Sequence, residues 1–460
     1  MNFNADLPKF ILFALIGGII LLLLQNWVAF SESYDDKQFQ NTTGLKSTDT
    51  GTNNFTNPTE NHLINGDTAS PNIDDTLPNI RPEETETTIL TTVNEDVNSE
   101  INNRHITVTT DTLRVTIDKL GGDIIQVAML KHLKSLDDNA DPLLLLEKNR
   151  DRIYVAQSGL VGPKGTNTKS AAAVFHSTQQ HYQMNGADPL TVTLEFKDPS
   201  GIVLTKNFHF KSNDHLFDVV FNIENNSNLP WQGTFYSQIN RDNSSDPGAD
   251  SSGFGMQSYL GAATSTNESP YKKISFKDME KKPFRNQHIG GWVAMLQHYF
   301  VSAWVPDQET EHTFFSKKSR SGLNIIGFYS DPLRVEPGAS EQIGAQFYAG
   351  PKDQYRLKEI ANHLDLTVDY GWLWWLAQPL YMLLYFFATG ELHLFDQVYK
   401  LFPGFGNWGF AIIMLTIFVK LIFFRLSAAS YRSMANMRKV QPKLLALRER
   451  HTNDKQAQSK

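Results

Sequence analysis

The rhythm of apolar and polar positions changes several times along the chain. Residues 10–30 open with FILFALIGGIILLLL, an uncharged block from Phe10 to Leu24, closed by Gln25, Asn26 and Trp27. With Val28 to Phe30 added, the block reaches the about 20 residues that cross a hydrocarbon core, and no small-residue cleavage pattern follows it. It reads as a retained transmembrane anchor after a short stretch, 1–9, with a removed signal peptide as the alternative. Residues 31–103 are dominated by Asn, Thr, Asp, Glu and Ser with scattered Pro, too few apolar side chains to offset the entropy of ordering. A disordered acidic linker is expected there, with an end-to-end distance of roughly 45 to 50 Å.

From 104 to 350 the period becomes two. Ile106, Val108 and Thr110 alternate, LRVTI follows at Leu113 to Ile117, and Gly121-Gly122 mark a turn before DIIQVAML. Further runs are LTVTLEF, IVLTKNFHF, LFDVVFNIE, WVAMLQHYFVSAWV (Trp292 to Val305), LNIIGFY and IGAQFYAG, separated by Asn, Asp, Gly and Pro. Many short strands with such turns predict a large antiparallel β-sandwich. In the helical connection, 351–371, Tyr355, Leu357, Ile360, Ala361 and Leu364 share one helical face, which packs on the sandwich or leads toward the membrane.

Two apolar runs come next. WGFAIIMLTIFVKLIFF, Trp408 to Phe424, is read as a second transmembrane helix within 407–426. GWLWWLAQPLYMLLYFFA, Gly371 to Ala388, heads the region 372–405 and also has the composition of a span. Charge decides between them. Residues 31–103 carry fourteen Asp/Glu and three Lys/Arg, net −11, whereas 427–460 carry eight Lys/Arg against Glu449 and Asp454, net +6. Lys and Arg resist translocation, so the basic tail and the N-terminus belong in the cytoplasm and everything between the two spans outside it. A third span would reverse the tail. Residues 372–405, with their tryptophans and Pro379, are therefore read as an interfacial amphipathic region, a buried core helix being the alternative. The tail continues as a basic amphipathic helix with Tyr431, Met434, Met437, Leu444 and Leu447 as apolar positions, and Pro442 is predicted to kink or restart it.

Composition narrows the chemistry. The 460 residues include no cysteine, which excludes disulfides, thiolate metal sites and cysteine nucleophiles. A net charge of −7 argues against general nucleic-acid binding, and no DNA partner is expected. Gly404, Gly406 and Gly409 spell G-x-G-x-x-G but follow no strand, so they are not read as a nucleotide site. Asp242, Asp246 and Asp250 lack calcium-loop spacing and read as a solvated turn. His288, His298, His312 and His363 show no metal spacing and read as surface or core residues. Lys420 stands apart: it lies twelve residues past Trp408, roughly 18 Å along a helix and within the inner half of the bilayer. A cation there costs on the order of 2.5 to 3.5 kcal/mol and usually faces a wet cavity or a partner, with snorkelling toward Arg425 and the cytoplasmic interface as the alternative. Thr416, one i,i+4 step earlier, shares its face.

GGWVAMLQHYF (Gly290 to Phe300), HLDLTVDYGWLW (His363 to Trp374), Gln378-Pro379, GNWGFAIIMLTIFVK (Gly406 to Lys420) and SMANMRKVQPKLLALRER (Ser433 to Arg450) are similar to sequences of the YidC/Oxa/Alb membrane-insertase family. The resemblance covers nearly the whole chain outside the linker. It implies a periplasmic β-supersandwich after a first span, an interfacial helix, and core helices enclosing a hydrophilic groove, with a cytoplasmic helical hairpin of which 427–460 is the start. It further implies that the chain is truncated after the first core helix. The family's groove cation, normally arginine, falls on Lys420 and its groove threonine on Thr416; Arg425 replaces a common proline and supplies a second cation, and 389–405 is longer than usual. The implied activity is insertion and folding of nascent inner-membrane proteins, alone or with the Sec translocon, without cofactor, metal or catalytic residue. Ribosome and anionic lipid are the other expected partners, with Met434 and Met437 touching apolar clients. A membrane-anchored carbohydrate-binding or sugar-processing sandwich is the alternative.

Overall fold

The computed structural model describes residues 104–450, apart from 136, 138, 139, 163, 168–171, 247–258 and 395–396. The expected anchor at 10–30, the expected linker at 31–103, Asp250 and the last ten residues lie outside the described residues. Two compact units meet in the chain between Val368 and Asp369.

The first is a two-sheet sandwich. Among the described residues, the larger sheet has eleven strands. From one edge they are Phe284–Ile289, Glu311–Lys318, Asn324–Ser330, Trp231–Arg241, Ile153–Val161, Pro142–Lys148, Asp123–Leu133, Leu113–Asp118, His105–Thr109 and His181–Gln183, with Leu333–Val335 beside Trp231–Arg241. The smaller sheet runs Lys272–Ile274, Gly261–Thr264, Val293–Leu296, Phe300–Val305, Ser340–Pro351, Leu216–Asn225, Ile202–Phe210 and Leu190–Lys197. Between the strands named here pairing is antiparallel except for His105–Thr109 with His181–Gln183. Residues of alternate phase from both sheets, among them Val115, Ile239 and Phe328 on one side and Leu204, Phe221 and Phe347 on the other, form a common core. This is the sandwich that period two demands: each strand offers one apolar face, and two such faces close on each other.

One expected run divides. WVAMLQHYFVSAWV is a hairpin, Val293–Leu296 and Phe300–Val305, with the Gln297 amide donating to the Phe300 carbonyl at 3.0 Å. Its turn, Gln297-His298-Tyr299, carries none of the usual turn residues. A six-residue helix α1, Phe276–Lys281, is capped by Ser275 and Asp278 in a reciprocal capping box. Helix α2, Gln354–Ile360, starts on the Asp353 side chain and buries Leu357 and Ile360. Together with Ala361 and Leu364 these residues pack on Trp292, Leu296 and Val301, so this face closes on the sandwich.

The Asp242 to Asp246 turn is not simply solvated. Asp242 accepts from the Ile153 amide at 2.7 Å, while Asp246 pairs with fully buried Arg241 and accepts from Gln297 at 2.7 Å. Protein donors occupy the oxygens that sequence alone assigned to water. His288 and His312 face each other across paired strands and are both buried, with His288 stacked on Phe314 at 4.2 Å.

Burial lowers the pKa of His288 and His312, and of His105 and His132, and pulls His215 down to about 4. A histidine that protonates less readily folded than unfolded contributes stability above its unfolded pKa, near 6.5, and loses it as pH falls toward the folded value. Asp123 and Asp365, raised by burial, work in the opposite sense at lower pH and offset part of this. The urea midpoint of residues 104–368 is expected to fall between pH 7 and pH 4.5, and His215→Gln to flatten that slope. A midpoint that is constant or rises on acidification would contradict the assignment.

Candidate functional site

The second unit, as described from Asp369, has two principal helices joined by a hairpin. Helix α3, Trp374–Thr389, contains no charged residue. Gln378, Tyr381, Tyr385 and Thr389 recur at helical spacing and give it one weakly polar stripe. Gly390, at φ +78°, ends it in the left-handed conformation that glycine adopts without strain. Helix α4, Trp408–Arg450, is continuous for 43 residues, and its Trp408–Lys443 portion is long and apolar enough to cross a membrane. Pro442 lies inside it without ending it. That proline removes a single amide donor near the C-terminal end of an exposed helix, where water can satisfy the freed carbonyl. The predicted restart is therefore not found.

The helices meet through Ala411, which is buried, and through ring contacts of Phe387 with Phe418 at 6.2 Å and Tyr385 with Trp408 at 6.1 Å. At about 100° per residue, Lys420 lies about 180° round α4 from Ala411, on the side turned away from α3. Thr416, about 40° from Lys420, shares that side, and its hydroxyl donates to the Ile412 carbonyl at 2.8 Å. Binding back to its own helix satisfies the hydroxyl in an apolar setting and leaves an acceptor lone pair beside the ammonium. Both residues are exposed. Met434 is about 40° from the Lys420 meridian and Met437 about 100°, both exposed. Arg425 is about 140° away. The helix thus brings Thr416, Lys420 and Met434 onto one stripe and separates Arg425 from them.

The sandwich buries a lysine that sequence reasoning passed over, Lys206. Strand Ile202–Phe210 buries every second residue, and Lys206 falls on the buried phase between Leu204 and Phe208. Its Nζ donates to the carbonyls of Gly122 and Ser158 at 2.8 Å each and to that of Gly121 at 3.3 Å. Gly121 and Gly122 have φ of +82° and +66°, and a Cβ on Gly122 would stand 2.9 Å from Lys206 Cδ. The Gly-Gly turn is what lets the backbone approach the amine. Phe208 and Phe221 offer ring faces at 5.5 and 5.1 Å. Burial pulls Lys206 down to about 7 and pushes neighbouring Asp123 up to about 6, each opposed by the charge of the other. Gln157 donates to Asp123 at 2.6 Å. The only signal in the sequence was a lysine in phase with apolar neighbours.

Comparison with known proteins fixes the family. Residues 105–383 match the family described as YidC periplasmic domain, and residues 400–460 match that described as 60Kd inner membrane protein. The membrane protein insertase YidC of Cellvibrio japonicus is 41% identical over 98% of this chain and 75% of its own length. The chain belongs to the YidC membrane-insertase family. The corresponding protein of Alcanivorax borkumensis is 43% identical over 77% of the chain, which spans 62% of that relative's length. The chain thus spans roughly three fifths to three quarters of these relatives. Among solved structures, a galactose mutarotase related enzyme from Lactobacillus acidophilus covers 53% of this chain, and 97% of itself, at TM-score 0.36 and 11% identity. A putative aldose 1-epimerase from Escherichia coli covers 53%, and 98% of itself, at TM-score 0.34 and 9% identity. Likenesses this weak carry no argument about sugar chemistry, and the carbohydrate reading is not favoured.

Proposed function

We propose that this chain supplies the periplasmic sandwich and the first groove helix of an insertase for nascent inner-membrane proteins. The observation that carries the reading is the Thr416–Lys420 stripe, polar and cationic, on an otherwise apolar helix and turned away from the helix packed beside it. An acidic side chain crossing bare hydrocarbon is costly; a wetted cation part-way across gives it a polar resting point, while the client's apolar helix leaves sideways into lipid. No bond is made or broken, so positioning a charge is the whole of the chemistry. Met434 and Met437, adaptable and exposed, suit contact with apolar client segments, and Arg425 suits anionic headgroups at the cytoplasmic boundary. In this reading α4 spans the membrane, α3 lies in the outer interface, the sandwich is periplasmic, and the basic end of α4 meets the ribosome. The Sec translocon is the partner for clients that need both routes.

Lys420 keeps the charge of the family's usual arginine but not its planar fork, which limits bidentate pairing with carboxylates. In the whole-length protein, Lys420→Ala is expected to reduce insertion of clients with acidic translocated segments by about tenfold, the scale set by one hydrogen bond to a charged group. Lys420→Arg should retain or raise it. A protease-protection assay reads both, and unchanged insertion by the alanine variant would remove Lys420 from the mechanism.

A further inference from the structure

Residues 384–399 fall between the two family matches, which end at 383 and resume at 400. All but the last residue of a two-stranded hairpin, Glu391–Leu394 with Gln397–Lys400, lies in this stretch, interposed between α3 and α4. It is firmly mounted. The Leu401 amide donates to the Gly390 carbonyl at 3.0 Å, Phe405 to Phe387 at 3.1 Å and Gly406 to Ala388 at 2.9 Å. A Cβ on Gly390 or Gly404 would run into the backbone of Phe402 or Thr389. Rings continue the mounting: His393 lies on Tyr385 at 5.3 Å, Phe402 on Phe386 at 5.1 Å, and Phe405 on Phe410 at 4.6 Å.

What this mounting presents outward is apolar. Val398 is 56% exposed, Tyr399 45%, Leu401 65% and Phe405 42%, and the exposed rings of Trp408 and Phe410 carry the surface onto the first turn of α4. Lys400 is paired with Glu391 at 3.4 Å, so the base of the hairpin brings no net charge. An isolated two-stranded ladder is marginal in water, and a small open sheet is not a structure that bare hydrocarbon accommodates. One environment meets both conditions: the headgroup and glycerol layer, where apolar side chains can dip toward acyl chains while water and ester oxygens serve the edges. Tyrosine and tryptophan favour that layer.

We infer that the Glu391–Lys400 hairpin is a membrane-interface anchor, seated among phospholipid headgroups of the outer leaflet at the entry of α4. It sets the depth at which α4, and hence Lys420, enters the bilayer. The inference rests on α4 crossing the membrane, so its test carries a separate control for that.

The chain has no cysteine, which makes single-site labelling clean. Val398→Cys and Leu401→Cys, and Ile413→Cys on α4 as the control, would each carry an environment-sensitive fluorophore. The full chain would be reconstituted in phosphatidylethanolamine–phosphatidylglycerol vesicles containing lipids brominated either near the headgroup or near the chain end. Labels at 398 and 401 are expected to lose fluorescence to the shallow quencher and little to the deep one, while the label at 413 responds to bromines within the chains. A quenched 413 with 398 and 401 fully aqueous would overturn the anchor and leave the span intact. Self-quenching between copies at 398 without lipid quenching would make the hairpin a contact between chains and overturn it equally. A label at 413 that no lipid quenches would overturn the span, and the anchor with it.

Discussion

Replacing Lys206 with methionine is expected to destabilise the sandwich by roughly 3 to 5 kcal/mol, the range for removing one partner of a buried charged network. Methionine nearly preserves the volume, so little of the loss comes from a cavity. It comes from three backbone carbonyls, on Gly121, Gly122 and Ser158, that now face a thioether. Buried acceptors without donors cost about 1 to 3 kcal/mol each, partly relieved by relaxation of the turn. Lys206 belongs to the smaller sheet and its three acceptors to the larger sheet and its turn, so the loss loosens the sheets from each other. Urea denaturation of residues 104–368 measures it, and a change under about 1 kcal/mol, the worth of an ordinary hydrogen bond, would show that the ammonium is not the link described.

Trp304→Ala is expected to cost about 3 to 5 kcal/mol by a different route, the cavity left by a large core ring. Trp304 is fully buried, packs on Phe347 at 4.6 Å, and donates its indole N–H across the sandwich to the Gln238 carbonyl at 3.2 Å. Trp304→Phe keeps most of the ring and gives up the hydrogen bond, so it should lose distinctly less. Equal losses from the two variants would place the weight on the hydrogen bond instead of the packing. The same denaturation measurement separates them.

Much of the sandwich was legible because alternation is a local property. Ile202, Leu204, Phe208 and Phe210 announce a strand and its buried face without knowledge of any neighbour. The same rule, applied strictly, puts Lys206 inside, yet one polar residue in an alternating run does not say which carbonyls await it. Those lie 48 to 85 residues away along the chain. Partnership was equally out of reach: nothing in HITVT indicates that it pairs in parallel with His181–Gln183. PLLLLEK, at Pro142–Lys148, is a strand with no clean alternation, and the Gln297 to Tyr299 turn has no glycine or proline to mark it.

In the second unit, the Thr416–Lys420 pairing was visible as an i,i+4 step. That the pair looks away from α3 was not, because it depends on which face of α4 the small Ala411 offers for packing. The Glu391–Lys400 hairpin showed in the sequence only as a connection longer than the resemblance implied.

The unbroken run of α4 has a mechanical corollary. Forty-three residues make a rod of roughly 65 Å, about twice the thickness of the oily layer, so in the proposed membrane-spanning arrangement about half of it projects beyond that layer. At the common tilt of about 20°, the tip of the projecting half is carried sideways by roughly 12 Å. With two arms of nearly equal length, a tilt of the membrane half would reach the far end at about its original scale.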